Sequence, residues 1–400
     1  MKNLFNDNFA KRLAYMQGSA IRDLLKHAGK PGFISLGGGY PDPASFPSAL
    51  FDKLYFEVKK KYGASIYQYS KTEGFDPLLN ELTLFLKRKN RAIAAQPDNI
   101  LITVGSQQAL TILGMMFIDE GDYIAVEAPT YLGALQAFNP FNPQYLPIST
   151  DENGIIPEQL ERILKNKIKI KFIYSVPTFQ NPSGRTIPLI RRKLIADILI
   201  KYNVLLIEDD PYSELRYEGD PLPSLYSLAP ENVIHLFTFS KTFAPDFRMG
   251  GLVAAKLIKE KAVLVKQGLD LCSSTFNQAM LFEYLSGGHL EPHIKEIISL
   301  YKPRRDLMMS LIKQYFPSYF KQSIPKGGMF IWVYDDKKKC KKSIKNVLHE
   351  TLRQNVSFVP GEPFFAGVTN IPFSMRLNFT NQSEDNIEKG IKIIGEILSR

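Results

Sequence analysis

The residue whose type and position most clearly suggest a chemical role is Lys241, in the segment FSKTFAP at residues 239–245. The apolar run before it, Val233–Phe239, predicts a buried strand, and open α/β sheets bind ligands beyond the carboxyl ends of such strands. Burial at that position would lower the pKa of the Lys241 amine and make it a better nucleophile. A second cation, Arg248, would act in the same direction and could hold a phosphate. A solvated surface lysine is the alternative reading, since lysines are mostly exposed.

Two earlier apolar runs end in groups that suit a phosphate and a planar ring. The run ILITV at residues 100–104 leads into GSQQAL, a turn into a helix whose first residues include Ser106 and Gln107. Free N–H groups at a helix N-terminus bind phosphate, although an ordinary N-cap serine gives the same pattern. The run YIAV at residues 123–126 leads into EAPTY, where Tyr131 could stack on a planar ring.

Two further runs end in an amide and in acids. The run at residues 170–176 leads into PTFQNPSG, which offers Asn181 as a rigid donor but is equally a turn signal. The run VLLI at residues 204–207 is followed by three acids, which are costly to bury without a cationic partner. A protonated ring nitrogen would be such a partner for Asp209, and Tyr212 could reach another edge of the same ring. The alternative is that the acids turn out to solvent.

Together, these strand ends supply a phosphate site, a stacking ring, an amide, a phenol, an acid and a lysine. That set matches pyridoxal 5'-phosphate (PLP), which proteins hold through a lysine Schiff base with an Asp or Arg at the pyridinium nitrogen. The sequence therefore predicts a PLP site at one edge of the sheet.

The elements that must position these residues are a sheet and its covering helices. From about residue 50 to 280, apolar runs alternate with helix-like stretches, the pattern of a mostly parallel sheet covered by helices. After residue 290 the order of elements changes and suits a smaller α+β domain. We predict an α/β protein with a large PLP-binding domain at residues 49–288 and a small domain at 289–400. The N-terminal segment, residues 1–48, is predicted to pack against the small domain and line the active site.

Composition narrows the functional class. A hydrophobic content of 44% and a charged content of 22% are typical of a globular protein. The formal net charge of +10 comes from scattered basic residues balanced by 40 acids, which argues against nucleic-acid binding. Two cysteines and five histidines show no metal-ligand spacing, so we expect no metal. Neither a signal peptide nor a run of eighteen apolar residues occurs, and we expect a cytoplasmic protein without membrane contact.

The motifs GSQQAL, EAPTY, QNPSG, EDDPY and SKTFAPDFRMGG also carry a resemblance to a known family. In order and rough spacing they resemble the fold type I PLP-dependent aminotransferases of class I/II. The similarity runs from about residue 15 to the C-terminus and favours the branch of 2-aminoadipate, kynurenine and broad-specificity aromatic aminotransferases. It implies PLP as the cofactor, amino acids and 2-oxo acids as substrates, and a homodimer with shared active sites.

The resemblance also implies a role for each matched residue. Lys241 would form the Schiff base and carry protons, and Asp209 would hold the pyridine nitrogen. Asn181 and Tyr212 would bind the 3-hydroxyl group. The resemblance thus implies that Lys241, Asp209 and Tyr212 are the catalytic residues. The other matches are the phosphate ligands Ser106, Gln107, Thr238, Ser240 and Arg248, the stacking Tyr131, Tyr69 reaching the partner subunit's phosphate, and the substrate-binding Arg376, Asn181 and Gly39.

Three positions bear on departures from the family and on specificity. Thr238 stands where the family often has a serine, and it keeps the hydroxyl group. Tyr40, beside the substrate, stands where the nearest relatives usually carry a leucine. Arg22, in a predicted helix at residues 19–27, matches an arginine that can pair with a distal carboxylate. The alternative for Arg22 is the wet face of an amphipathic helix, and an aromatic substrate would also fit if Arg22 swings aside.

The resemblance implies ping-pong transfer of an amino group between an amino acid and 2-oxoglutarate. The donor would be 2-aminoadipate, an aromatic or a branched aliphatic amino acid. A β-lyase, a decarboxylase or a cyclopropane-forming synthase on the same fold would keep the same cofactor ligands, so these alternatives stay open. A non-catalytic PLP-sensing regulator would carry a winged-helix domain in front, whereas this chain begins only about fifteen residues before the match.

Overall fold

The structure is a computed structural model that describes residues 8–16, 18, 30–166 and 168–400. Arg22 lies outside the described residues. The strands are β1 (Ile34–Ser35), β2 (Ile100–Val104), β3 (Tyr123–Ala128), β4 (Gln144–Asp151), β5 (Gly154–Ile155), β6 (Ile170–Ser175), β7 (Leu206–Asp210), β8 (Val233–Thr238), β9 (Met249–Val253), β10 (Lys321–Gln322), β11 (Phe330–Asp335), β12 (Val356–Ser357), β13 (Val359–Pro360) and β14 (Phe373–Asn378).

Helices separate most of these strands. The α-helices are α1 (Ser48–Tyr62), α2 (Asp76–Arg88), α3 (Gly105–Phe117), α4 (Leu132–Phe138), α5 (Pro157–Lys165), α6 (Leu189–Tyr202), α7 (Leu225–Leu228), α8 (Lys256–Leu269), α9 (Thr275–Ser286), α10 (Leu290–Tyr315), α11 (Ile344–Arg353) and α12 (Glu384–Ser399). Short 3₁₀ helices lie at Lys11–Tyr15, Pro43–Ser45, Gly63–Tyr67, Pro97–Asn99, Asn139–Phe141, Pro245–Phe247 and Glu362–Phe364.

The larger sheet has the strand order β2-β9-β8-β7-β6-β3-β4-β5. Strands β4, β3, β6, β7 and β8 run parallel, while β9 is antiparallel to both β8 and β2. Strand β2 therefore points the same way as β8. The carboxyl ends of β2, β3, β6, β7 and β8 consequently meet at one edge of the sheet, which confirms the predicted α/β fold class with a mostly parallel sheet.

Both faces of this sheet are covered, and strand β8 shows how. Ile234 and Leu236 belong to one apolar cluster, whereas Val233 and Phe237 belong to the cluster on the other face. This alternation follows from the two-residue period of a strand. Because both faces are buried, the strands read as nearly continuous apolar runs in the sequence.

The second sheet has the order β10-β11-β14-β13 with antiparallel pairing. The N-terminal part of the chain joins it through β1, which pairs with β12 in parallel, and through the bond from Asn378 N to Leu36 O. These contacts support the predicted packing of the N-terminal segment on the small domain. We propose the division into residues 1–48, 49–288 and 289–400 on that basis.

In the part of the chain that the structure describes, no helix has the length and apolarity needed to span a membrane. Over the same residues, no cluster of three or more His, Cys, Asp or Glu side chains is arranged to bind a metal ion.

Gly327 sits where backbone segments meet closely, because a Cβ there would lie 2.3 Å from both Leu215 O and Phe179 Cζ. We expect Gly327→Ala to lower the free energy of unfolding by about 1–3 kcal/mol through overpacking. The measurement is urea unfolding. The matched control is Gly268→Ala in α8, where a Cβ meets nothing within 4 Å and helix propensity predicts a gain of roughly 0.5–1 kcal/mol. Equal midpoints for the two variants would contradict this packing.

Candidate active site

A cavity of about 390 Å³ lies at the carboxyl edge of the larger sheet. Backbone and side chains from both sheets and from the N-terminal part line it. The predicted site residues found in its wall are Gly39, Tyr40, Ser106, Gln107, Tyr131, Asn181, Asp209, Tyr212, Thr238, Ser240, Lys241, Arg248 and Arg376. The fold therefore brings together residues that are far apart in sequence.

Lys241 follows β8 and reaches into this cavity. Its Nζ donates a hydrogen bond to Gly39 O at 2.9 Å. Burial, together with the positive charges of Arg248 and Arg376, lowers the pKa of Lys241 to about 8. An appreciable fraction of this amine is therefore neutral near physiological pH and available as a nucleophile or base.

Asp209 is buried near the end of β7, with 1% of its surface exposed. Its Oδ2 accepts a hydrogen bond from Tyr174 at 2.9 Å, while Oδ1 is buried without a partner among the described residues. Burial raises the pKa of Asp209 to about 7, although the Tyr174 bond opposes the rise. A buried carboxylate oxygen without a partner is costly, and a protonated ring nitrogen would satisfy it. The site therefore fits the pyridine ring of PLP.

Asn181 links the two sheets at the cavity. Its Nδ2 donates to Tyr212 Oη at 3.2 Å, and its Oδ1 accepts from Arg376 Nη1 at 2.8 Å. Arg376 Nη2 donates to Gly37 O, whereas Nε is buried without a partner among the described residues. The guanidinium carbon lies 4.2 Å from the Phe330 ring centroid, and burial lowers the Arg376 pKa to about 10. Arg376 is thus held in place with an N–H left for a carboxylate ligand.

The start of α3 and Arg248 form the part of the cavity suited to a phosphate. Gly105 has φ +72°, a backbone conformation that favours glycine, and Arg248 Nη2 lies 2.7 Å from the position that a Cβ would take there. Arg248 Nη2 donates to Val104 O at 3.2 Å. The hydroxyl oxygens of Thr238 and Ser240 lie 3.0 Å apart at the carboxyl end of β8. Hydroxyls, a guanidinium and a helix N-terminus are suitable phosphate ligands.

Gln107 and Tyr131 lie near the starts of α3 and α4, and their side chains have different surroundings. The Gln107 side chain donates to Gly133 O at 2.8 Å, so it fastens α3 to α4. Tyr131 precedes α4, and a Cβ on Gly133 would lie 2.5 Å from the Tyr131 ring. Gly133 therefore leaves room for the ring that is predicted to stack on the cofactor.

Tyr69 is a predicted site residue outside the cavity wall. It is 78% exposed and lies beside residues 272–276 in a separate, open depression. This location is compatible with a side chain that serves another subunit. Tyr40 is half-exposed where it lines the cavity, and Arg22 is outside the described residues.

Three residues belong to the site but are not predicted from the sequence, namely Tyr174, Phe330 and Gln136. Tyr174 lies in β6, which the sequence presents as an apolar run of the sheet, and its hydroxyl bonds Asp209. The available signal was that Tyr174 stands near the end of β6, beside the strand that ends in three acids. Phe330, in β11, stacks on Arg376, and Gln136, on α4, lines the cavity. Neither has a local sequence signal because each depends on how the elements pack.

Comparison with known proteins identifies the family. Residues 50–394 match the family model described as Aminotransferase class I and II. The chain belongs to this aminotransferase family. Among its relatives, the aromatic-amino-acid aminotransferase 1 of Thermococcus litoralis is 40% identical over 397 residues, covering 98% of this chain and 94% of that protein.

Solved structures of aminotransferases agree with this result. The kynurenine aminotransferase of Pyrococcus horikoshii, in complex with PMP, is 42% identical with a TM-score of 0.94, covering 99% of this chain and 98% of that one. The alpha-aminoadipate aminotransferase of Thermus thermophilus, complexed with N-(5'-phosphopyridoxyl)-L-leucine, is 34% identical with a TM-score of 0.89 and the same coverage. The predicted enzyme class, a PLP-dependent aminotransferase, and its cofactor are confirmed.

Removing the Tyr174 hydroxyl tests the environment of Asp209 in this aminotransferase. Because that hydrogen bond lowers the Asp209 pKa, Tyr174→Phe should raise it. Protonated Asp209 cannot stabilise a protonated ring nitrogen, so the acidic limb of kcat/KM should move to higher pH by about one unit. The measurements are the pH profile and the dissociation constant of PLP by absorbance. Tyr226→Phe, a buried tyrosine in α7, is the control, and matching profiles for both variants would contradict the assignment.

Proposed function

We propose that this aminotransferase transfers an amino group between an amino acid and 2-oxoglutarate by a ping-pong mechanism. The observation that carries the proposal is the convergence of Lys241, the unpartnered Asp209 Oδ1 and the unpartnered Arg376 Nε on one cavity, as far as the described residues go. These groups suit a base, a ring-nitrogen ligand and a carboxylate ligand respectively. The chain itself would thus supply three groups that PLP-dependent transamination needs.

The chain's own residues would hold the cofactor at several points. Asp209 Oδ1 would bind the ring nitrogen and keep it protonated, while Asn181 and Tyr212 would orient the 3-hydroxyl group. Tyr131 would stack on the ring. The phosphate ligands would be Ser106, Gln107, Thr238, Ser240 and Arg248. When bound, PLP supplies an electron sink that makes the hydrogen on the substrate's α-carbon acidic.

Lys241 would carry the proton. With its pKa lowered to about 8, Lys241 Nζ exists partly as the free amine. It can therefore accept the proton from the α-carbon of the substrate and then return it to a neighbouring carbon. Arg376 would bind the substrate carboxylate, and the backbone at Gly39 would lie beside it. The Lys241–Gly39 hydrogen bond shows that this backbone is within reach of the amine. Lys241 is also the residue to which the cofactor would be attached.

The donor range follows from the relatives and from the cavity rim. Relatives named for aromatic amino acids, kynurenine and alpha-aminoadipate support an enzyme that accepts aromatic and acidic donors. The leucine adduct bound to the Thermus thermophilus enzyme supports branched aliphatic donors as well. Tyr40 is half-exposed where it lines the cavity and would contact the substrate side chain. Pairing of Arg22 with a distal carboxylate stays a prediction, as that residue lies outside the described part of the chain.

We further propose a homodimer in which Tyr69 completes the partner's phosphate site. Tyr55, Phe56, Tyr67 and Tyr69 are between 40% and 78% exposed, an unusual concentration of aromatic surface for a monomer. Burial against a second copy would remove this surface from water. The proposed dimer would also bring Tyr69 to an active site that it does not reach within its own chain.

We infer a cytoplasmic location as well. Cys272 and Cys340 are both free, as is usual for proteins of a reducing compartment.

A half-reaction tests the proposed chemistry. Adding L-glutamate, L-2-aminoadipate or L-phenylalanine to the PLP form should replace the pyridoxal absorbance with that of pyridoxamine phosphate, and 2-oxoglutarate should restore it. Steady-state double-reciprocal lines should be parallel, as ping-pong transfer requires. Release of CO₂ from these donors, with no matching oxo acid, would instead identify a decarboxylase. Release of ammonia and pyruvate from a cysteine S-conjugate, whose thiol is the leaving group, would identify a β-lyase.

Hybrid dimers test the shared active site. Lys241→Ala and Tyr69→Ala homodimers should each be strongly impaired, since each defect is present in both sites. Subunit exchange should create hybrids with one intact site, because Tyr69 of the Lys241→Ala chain would serve the other subunit. Complete exchange would restore roughly a quarter of wild-type activity for symmetric dimers. Activity no greater than the average of the two parents would show that Tyr69 acts within its own subunit or not at all.

A further inference from the structure

A second cavity, of about 440 Å³, is distinct from the active-site cavity. Its wall comes from the β4–β5 turn, the chain following Asn181, the chain following Tyr212 and the chain around β10. The turn at residues 179–185 contributes to both cavities, since Asn181 lines the first and Gly184 and Arg185 line the second. No described residue is shared between the two walls.

Two side chains in this second wall carry buried polar atoms without partners. Nε and Nη2 of Arg216 have no hydrogen-bond partner among the described residues, and neither has Oε1 of Gln322. The Arg216 guanidinium lies 4.7 Å from the Phe179 ring centroid, and Gln322 Nε2 donates to Met309 O. A donor edge and an acceptor are therefore both unsatisfied at one cavity. Such groups are costly unless a ligand or water completes them.

The remaining lining groups supply charge and apolar surface. Arg185 and Lys326 form no ion pair among the described residues, and the Arg185 guanidinium carbon lies 5.6 Å from the centroid of the Tyr334 ring. On the acidic side, Glu218 pairs with Arg305, whereas Glu152 and Asp220 have no ion pair within the described part of the chain. Both charge signs are thus present, beside the apolar side chains of Pro188, Leu222 and Ile324. A zwitterion with an apolar side chain matches that combination.

We propose that this second cavity binds a free α-amino acid, with its carboxylate held by Arg216 and Arg185 and its ammonium group by Gln322 Oε1. The apolar residues would contact the side chain. A cavity of this size can hold an amino acid as large as phenylalanine. The site is separate from the one that binds the transaminated substrate.

The turn that contributes to both cavities offers a route by which an occupant acts on the active site. Gln180 N donates to Arg185 O, and Gly184 N donates to Gln180 O, so the turn is tied together by its own backbone. Asn181 in the same turn bonds both Tyr212 and Arg376. A ligand on Arg185 therefore contacts the same short unit that orients a substrate and cofactor ligand.

Calorimetry with L-phenylalanine on the pyridoxamine-phosphate form tests the site, because two amines cannot condense and the probe only binds. Wild type should bind two equivalents per subunit, one at Arg376 and one in the second cavity. Arg216→Gln should lose one equivalent, and Arg376→Lys should lose the other. Arg353→Gln, an exposed arginine on α11 outside both walls, is the matched control and should keep both.

The cofactor reports the coupling in the same titration. Binding to Arg376→Lys should still perturb the pyridoxamine absorbance, and this perturbation should disappear when Arg216→Gln is added. If Arg216→Gln does not fold, Gln322→Met keeps the side-chain length, removes the acceptor and should weaken the second equivalent about tenfold. Wild-type stoichiometry in Arg216→Gln, or complete loss of binding in Arg376→Lys, would overturn the proposal and leave the second cavity to water.

Discussion

The structure depends on a carboxylate that is buried without being fully satisfied. Strand β7 ends in three consecutive acids, and the protein treats each one differently. Glu208 accepts bonds from the first N–H groups of α7 and contacts His235, and Asp210 contacts Arg91 and Ser213. Among the described residues, Asp209 receives only the Tyr174 hydroxyl and retains a bare oxygen. The protein supplies partners for Glu208 and Asp210, whereas the bare oxygen of Asp209 is the one that we propose binds the cofactor.

The elements around Asp209 exclude water from its carboxylate and fix its orientation. A mostly parallel sheet covered on both faces provides the burial. The strands on either side of β7 provide the other groups, because β6 carries Tyr174 and β8 leads into Lys241. The same burial has opposite effects on the two titratable groups, raising the pKa of the acid and lowering that of the amine. The lowered pKa leaves part of the Lys241 amine neutral near physiological pH, as a base requires. The raised pKa of Asp209 reflects the cost of burying its charge without a cationic partner.

The other organising contact is the Arg376–Asn181 hydrogen bond. It connects β14 of the smaller sheet to the turn after β6, while the second bond of Arg376 reaches the N-terminal part at Gly37. Three separate parts of the chain thus converge on one guanidinium. We propose that this junction sets the position of the substrate carboxylate relative to Lys241.

The sequence by itself determined which residue types end each strand. Apolar runs followed by GSQQAL, EAPTY, QNPSG, EDDPY and SKTF are local patterns, and parallel strands must bring their carboxyl ends to one edge. It could not determine which acid of β7 stays unsatisfied, nor that Tyr174 and Phe330 belong to the site. Those outcomes depend on strand register and on packing between distant elements. The tertiary structure decided them, because a hydrogen-bond partner exists only once the neighbouring strand is in place.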